Sequence, residues 1–188
     1  MKFAYADPPY LGCAKFYADR HPNALDFNDP ETHRDLIASM CDDFPDGWAL
    51  SCHEPSMYVI RAMCPADVRT AIWVKPFASF KPGVNPAYAW EPILWRGGRK
   101  RERSEPTIRN WCAVSIALRK GLVGAKPAEF CYWIFDLLNA KKGDEFADLF
   151  PGTGAFTNAW AWFNGRFTDA PLLMACPAPG PARTRRSP

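Results

Sequence analysis

Residues 148–160, DLFPGTGAFTNAW, leave few architectures open. An apolar segment ends beside an acid, two glycines follow, and an apolar helix-like pattern takes over at once. Glycine turns a chain through left-handed angles and lets its backbone approach a ligand with no Cβ in the way. The helix that follows faces the turn with unpaired N–H groups. Strand, glycine bend and helix in that order predict an α/β chain with its ligand at the carboxyl ends of strands. Turn geometry alone would also account for the glycines. A phosphate-binding loop is excluded, because Ala155 or Phe156 stands where its lysine should be.

The rest of the chain alternates in the same way. Strands are predicted over 2–6, 48–52, 70–75, 92–96 and 145–150. Asp29-Pro30-Glu31 reads as a helix start, followed at helical spacing by Leu36, Ile37, Met40 and Phe44. Glu54-Pro55-Ser56 opens a shorter helix carrying Met57, Ile60 and Met63. Over 128–140, Phe130, Trp133, Ile134, Leu137 and Leu138 share one face, and Gly143 is placed to end that helix. A last helix is expected over 155–163. The pattern predicts one α/β domain over 1–170 with a largely parallel central sheet flanked by helices. Residues 76–125 form a loop-rich insertion, and the Pro-, Ala- and Arg-rich stretch 171–188 reads as a disordered tail.

A second unusual segment closes the first strand: Asp7-Pro8-Pro9-Tyr10. The prolines stiffen the chain and remove two N–H donors while keeping their carbonyls as acceptors. Asp7 adds an acceptor and Tyr10 a flat face. Together they suit a planar group bearing an amine. Alone, the tetrapeptide could be a plain turn after a strand.

Taken together, the two segments resemble the S-adenosylmethionine-dependent amino-methyltransferases of DNA, which carry a DPPY motif and an FxGxG motif. The order here, DPPY first and glycine bend last, resembles the permuted members, and the wording ADPPY and DLFPGTG looks like short phage or prophage members. Lys126-Pro127, the apolar helix, Gly143-Asp144 and the bend resemble the family's usual run. Trp73-Val74-Lys75 and Trp90-Glu91-Pro92 resemble its intervening strand and acidic turn. The likeness covers roughly 1–165 and implies a Rossmann-like methyltransferase fold of reduced size. It implies methylation of an exocyclic base amine, adenine N6 favoured over cytosine N4, with S-adenosyl-L-methionine as cofactor and DNA as partner. RNA methylation and a catalytically inactive nucleic-acid-binding module stay open as alternatives.

The resemblance also implies roles. Asp7, Pro8, Pro9 and Tyr10 would be catalytic: Asp7 and the Pro8 carbonyl accept the target amine's hydrogens, and Tyr10 stacks on a base flipped out of the duplex. Asp148 would take the cofactor's ammonium, with Phe150, Pro151, Gly152, Thr153 and Gly154 around its methionine part, and Ala6, Lys126 and Pro127 lining the same pocket. Only residues 164–188 follow the last helix, so the strands that complete the cofactor pocket in larger members have little chain to come from. Asp169 is the one candidate remnant there.

The net charge of +3 does not by itself announce a nucleic-acid binder. Arg96, Arg99, Lys100, Arg101 and Arg103 crowd one loop over 97–105, expected to be a loop or a mobile insertion. Such a run is often a solvated face; beside a base-modifying site it reads as phosphate-contacting or target-reading. Lys15 and Arg20, soon after Tyr10, are further candidates. The seven cysteines are scattered without a CxxC pair, which predicts reduced thiols and no metal site. His53 is expected to be structural or cleft-lining. No apolar run is long enough to span a membrane, and residues 1–5 carry no signal-like stretch. Together these predict a cytoplasmic protein, monomeric or homodimeric.

Overall fold

The computed structural model describes residues 1–19, 22–77, 83–116 and 125–165. The regular elements in chain order are β1 (Lys2–Ala6), α1 (Pro30–Asp43), β2 (Gly47–Ser51), α2 (Met57–Met63), β3 (Arg69–Val74), β4 (Trp90–Gly97), β5 (Trp111–Ala113), α3 (Ala128–Leu137), β6 (Glu145–Asp148) and α4 (Ala155–Phe163). The strands form one sheet in the order β5-β3-β4-β2-β1-β6. β1 runs parallel to both β2 and β6, and β5 parallel to β3. β4 is antiparallel to both of its neighbours, so it alone is reversed.

Alternation along the strands separates two cores. Phe3, Tyr5, Ala49, Ile93 and Trp95 face α3 and α4 and join Phe130, Ile134, Phe135, Phe156 and Trp160. Ala4, Ala6, Trp48, Leu50 and Leu94 face α1 and α2 and join Ile37, Met40, Phe44 and Ile60. Helices therefore cover both faces, which is why β1 and β2 are buried along almost their whole length. Phe135 lies at the centre of the first core, its ring 4.9–5.9 Å from those of Tyr132, Phe146, Phe156, Trp160 and Phe163. Truncating such a buried ring to alanine costs about 3–5 kcal/mol.

Several local readings need revision. α1 starts as expected: the Asp29 side chain accepts from the Glu31 N–H and Pro30 occupies the first turn. The next helix begins as a 3-10 turn at Glu54–Ser56 and becomes α2 at Met57. α3 stops before Gly143. Asn139 takes a left-handed φ of 50°, and the Ala140 N–H closes back on the Phe135 carbonyl at 2.9 Å. Asparagine tolerates that conformation and ends a helix as glycine does. The strand predicted over 145–150 ends at Asp148, and the short edge strand β5 has no counterpart among the predicted strands.

The direction of β4 moves the basic 97–105 loop. Gly97 pairs with Gly47 at the start of β2, whereas Ile93 pairs with Ser51 at its end. The loop thus leaves from the opposite end of the sheet to the strand tips, four register positions or about 13 Å away along the strand. It is also tied down. The Arg99 N–H bonds the Leu138 carbonyl at 2.9 Å, and the Arg99 guanidinium holds both oxygens of Asp144 at 2.6 and 2.7 Å. Arg101 donates to the Asp136 carbonyl, and Lys141 pairs with Glu105 at 2.6 Å. It is a loop anchored to α3, the turn after it and Asp144. The tail 171–188, Arg20, Asp169, and residues 78–82 and 117–124 of the insertion lie outside the described residues.

Candidate active site

Because β1 and β6 are parallel neighbours, the two motifs leave the sheet side by side. Tyr5 is in register with Asp148, and the Leu149 N–H bonds the Tyr5 carbonyl at 2.9 Å. The carboxyl ends of β2, β3 and β5 reach the same edge, as does the start of β4. That edge therefore gathers Asp7, His53, Lys75, Glu91, Lys126 and the glycine bend.

Its centre is a cluster of buried charges. Lys126 Nζ lies 2.6 Å from Glu91 Oε1 and 3.0 Å from Asp7 Oδ1, and Lys75 Nζ lies 2.7 Å from Glu91 Oε2. The Tyr10 hydroxyl lies 2.9 Å from Asp7 Oδ1 and 2.7 Å from Glu91 Oε1, and accepts from Lys126 at 3.2 Å. Two carboxylates and two ammoniums balance in charge, which is the condition for keeping them out of water. Burial pushes the Glu91 carboxyl upward, but Lys126 and Lys75 outweigh it and bring it to about 2. Asp7 goes the other way. Burial and the Glu91 charge hold it above the ordinary carboxylate range, and Lys126 and Tyr10 only partly offset them. Burial disfavours charge on Lys126, yet Asp7 and Glu91 keep its ammonium more firmly protonated than a free lysine.

Pro8 and Pro9 are buried and fix the path from β1 to Tyr10. The Tyr10 ring is nearly parallel to the His53 imidazole, at 9° with centroids 6.0 Å apart. His53 also meets Tyr88 edge-on at 5.1 Å and has Cys13 Sγ 3.9 Å from its Nδ1. The site thus has an aromatic wall beside its carboxylates. His53 is part of that wall, between the Tyr10 and Tyr88 rings.

At the glycine bend, Asp148 takes the place of a helix cap. Gly154, the residue before α4, has no side chain to offer, so Asp148 Oδ2 accepts from the Thr157 N–H at 3.2 Å and the Thr157 hydroxyl at 2.7 Å. Burial raises the Asp148 carboxyl, and Thr157 and the Phe150 N–H pull it back. Its other oxygen, Oδ1, is buried and has no hydrogen-bond partner among the described residues. An unpartnered carboxylate oxygen at a helix amino end is suited to a cationic donor. Gly152 and Gly154 have φ of 45° and 73°, and a Cβ on either would meet nothing closer than 3.6 Å. The bend needs glycine for its angles, and a Cβ there would make only ordinary van der Waals contact. Pro151, Gly152 and Thr153 are exposed, Phe150 is half-buried, and Ala6 is buried at the end of β1.

Not every expected residue joins this edge in its expected role. Lys126, expected among the cofactor-lining residues, sets its ammonium on Asp7 and Glu91, with Pro127 buried next to it. Arg96 pairs with Asp67 at 2.9 Å, and Arg99 and Arg101 are engaged as described. Lys100 and Arg103 are exposed on the remote loop. None of these five reaches the site. Lys15 lies in the turn Ala14–Tyr17 that follows Tyr10. Glu91 and Lys75, which the sequence reading quotes in the acidic turn and strand resembling the family, are brought to the site without being expected there. The signal is an acid inside the apolar stretch WEPILW, since a carboxylate in a buried strand requires a cationic partner. Among the described residues, no group of three or more His, Cys, Asp or Glu could hold a metal, and no helix is long and apolar enough to cross a membrane.

No protein-family model matches the sequence, and no curated protein does. Solved structures do match the fold. The complex of M1.HpyAVI with SAM superposes with a TM-score of 0.54 at 15% identity, over 86% of this chain and 78% of that one. TTHA0409 from Thermus thermophilus, assigned as a DNA modification methylase and complexed with S-adenosyl-L-methionine, gives 0.52 at 19% identity, over 87% and 78%. The chain shares their fold. Its α/β sheet with helices on both faces is the architecture of those two proteins, built in 188 residues.

Proposed function

We propose that this chain is an S-adenosyl-L-methionine-dependent methyltransferase acting on an exocyclic amine of a DNA base, with adenine N6 as the target. The observation that carries the reading is the parallel pairing of β1 with β6, which sets Asp7-Pro8-Pro9-Tyr10 and Asp148–Gly154 at adjacent strand tips. The DPPY and FxGxG resemblance and the shared fold with a SAM complex and a DNA modification methylase support it. The buried Asp148 Oδ1, which has no partner among the described residues, and the exposed glycine bend, where no Cβ intrudes, fit the cofactor's ammonium and methionine chain.

In this reading Asp148, Phe150, Gly152, Thr153 and Gly154 hold the cofactor, which supplies a methyl group already activated on a sulfonium. Asp7 and the Pro8 carbonyl accept the amine hydrogens and draw the nitrogen lone pair out of conjugation with the ring. The Tyr10 face and the His53 imidazole flank the base and offset part of the cost of extracting it, a few kcal/mol. Orientation of the amine supplies much of the remaining rate. The basic 97–105 loop lies too far from the tips to guide the base, so phosphate contacts fall to residues around the site edge, Lys15 among them.

The experiment is transfer of tritium from labelled S-adenosyl-L-methionine to duplex DNA, single-stranded DNA and RNA, with Asp7→Ala as control. Counts in DNA above the control support the reading. Counts confined to RNA redirect it to RNA. No counts above the control at saturation leave a nucleic-acid-binding module instead.

A further inference from the structure

Glu91 is the one member of the charge cluster that holds both lysines, yet it makes no contact with a reacting group of the proposed reaction. One oxygen holds Lys126 at 2.6 Å and Tyr10 at 2.7 Å, and the other holds Lys75 at 2.7 Å. Lys126 sits closer to Glu91 than to Asp7, at 2.6 against 3.0 Å. Among the described residues, both contacts of the Asp7 carboxylate, with Tyr10 and Lys126, fall on Oδ1. The Asp7 side chain keeps 23% of its surface exposed, whereas Glu91 and Lys126 keep 8% each. Glu91 therefore engages both lysines deep in the cluster, and Asp7 is left with one oxygen for an incoming donor.

That arrangement answers a need of the proposed reaction. When a neutral amine receives a methyl group, its nitrogen is left with a positive charge and one proton too many. The proton must leave before the product can. Resting on the functional reading above, we propose that Glu91 is a positioning residue that takes up the charges of Lys126 and Lys75 and so leaves Asp7 Oδ2 as the acceptor of that proton. In the step, one N–H bond of the methylated amine breaks and its electron pair stays on nitrogen. The proton forms an O–H bond with Asp7 Oδ2, so aminium and carboxylate are neutralised together. Asp7 then returns the proton to water.

Among the described residues, the groups facing Asp7 are Tyr5 on β1, Tyr10 and Tyr17 after it, Glu91 on β4, Lys126 just before α3 and Cys131 in its first turn. Burial and the Glu91 charge make Asp7 more basic, and Lys126 and Tyr10 make it less so. Without Glu91 the Lys126 ammonium has only Asp7 to pair with, and Asp7 becomes a poorer proton acceptor.

The test is the pH dependence of kcat in wild type and Glu91→Gln, together with the Asp7 carboxyl titration followed by carbon NMR on carboxyl-labelled protein. In Glu91→Gln, kcat is expected to fall about tenfold or more with little change in KM, as loss of a proton acceptor requires. Its acidic limb and the Asp7 titration are both expected to move to lower pH by about one unit. A merely structural role would lower activity without moving the limb. An unmoved limb, or an Asp7 titration that stays in place or rises, overturns the proposal. Should Glu91→Gln fail to fold, Glu91→Asp keeps the charge at a shorter reach. It is expected to lose rate with its acidic limb close to wild type, and a displaced limb there overturns the proposal. If wild type methylates no acceptor, the functional reading fails by itself, and the Asp7 titration still decides whether Glu91 sets its basicity.

Discussion

Replacing Lys126 with methionine removes one charge from the middle of the strand-tip cluster. It keeps an apolar stem among the rings of Tyr10, Trp73 and Phe130. Glu91, buried, and Asp7, part-exposed, are then left with Lys75 as their cation. The Glu91 carboxyl sits at about 2 against 4.5 for the free group. At 1.36 kcal/mol per unit, that depression corresponds to about 3 kcal/mol of stability held by both lysines at neutral pH. Removing one partner of a buried pair costs about 3–5 kcal/mol by itself. Asp7, already held high by burial, is pushed higher still and can take a proton, which limits the damage. Lys126→Met should therefore lose roughly 2–4 kcal/mol at pH 7, a large share of a typical domain's stability. The depressed Glu91 carboxyl contributes stability that is present above pH 4.5 and lost as pH falls towards 2. The gap between wild type and variant should accordingly be widest near neutrality and close as the solution is acidified. Urea unfolding at pH 7, 5 and 3.5 measures it. A loss under about 0.5 kcal/mol at pH 7, within the range of an ordinary surface change, would refute the reasoning, as would a gap unchanged down to pH 3.5.

Asp148→Asn keeps an acceptor for Thr157 but loses the charge. Calorimetry should show cofactor affinity reduced at least about tenfold, the worth of one charge-assisted hydrogen bond, with urea stability nearly intact; unchanged affinity would remove Asp148 from the cofactor site. Gly154→Ala forces a Cβ onto a φ of 73° with no clash nearer than 3.6 Å, so unfolding should show a loss of about 1–2 kcal/mol. No loss would mean the bend does not hold that angle. Arg99→Ala leaves the Asp144 carboxylate, 7% exposed, with fewer partners. It should cost about 1–3 kcal/mol of stability and leave the salt slope of DNA binding unchanged. A flattened slope would return the 97–105 loop to the nucleic-acid interface.

Much of the fold is legible in the sequence because it is written locally. Asp29-Pro30 marks a helix start by its own capping chemistry, and Phe130, Trp133, Ile134 and Leu137 repeat at a period only a helix satisfies. The glycine bend and the Asp-Pro-Pro-Tyr turn can likewise be placed at strand ends from their residues. Strand direction is not legible, because an apolar run such as PILW looks the same read either way in a sheet covered on both faces. The reversal of β4 decides two things at once. It carries Glu91 into the charge cluster and takes Arg99, Lys100 and Arg101 to the far end of the sheet. Lys126 cannot be assigned between the two motifs from sequence, since its long stem reaches Asp7 and Glu91 from a position next to both. β5 escapes notice because three half-exposed residues leave almost no pattern.

The most direct test is mass spectrometry of nucleosides from duplex DNA incubated with the purified protein and methyl-labelled S-adenosyl-L-methionine. Wild type should yield labelled N6-methyladenine. Asp7→Ala should yield none, while calorimetry shows it binding the cofactor within a few-fold of wild type. Equal label from both proteins, or label on a ring carbon and not on an exocyclic nitrogen, would contradict the idea that Asp7 and the glycine bend serve one reaction at adjoining strand tips.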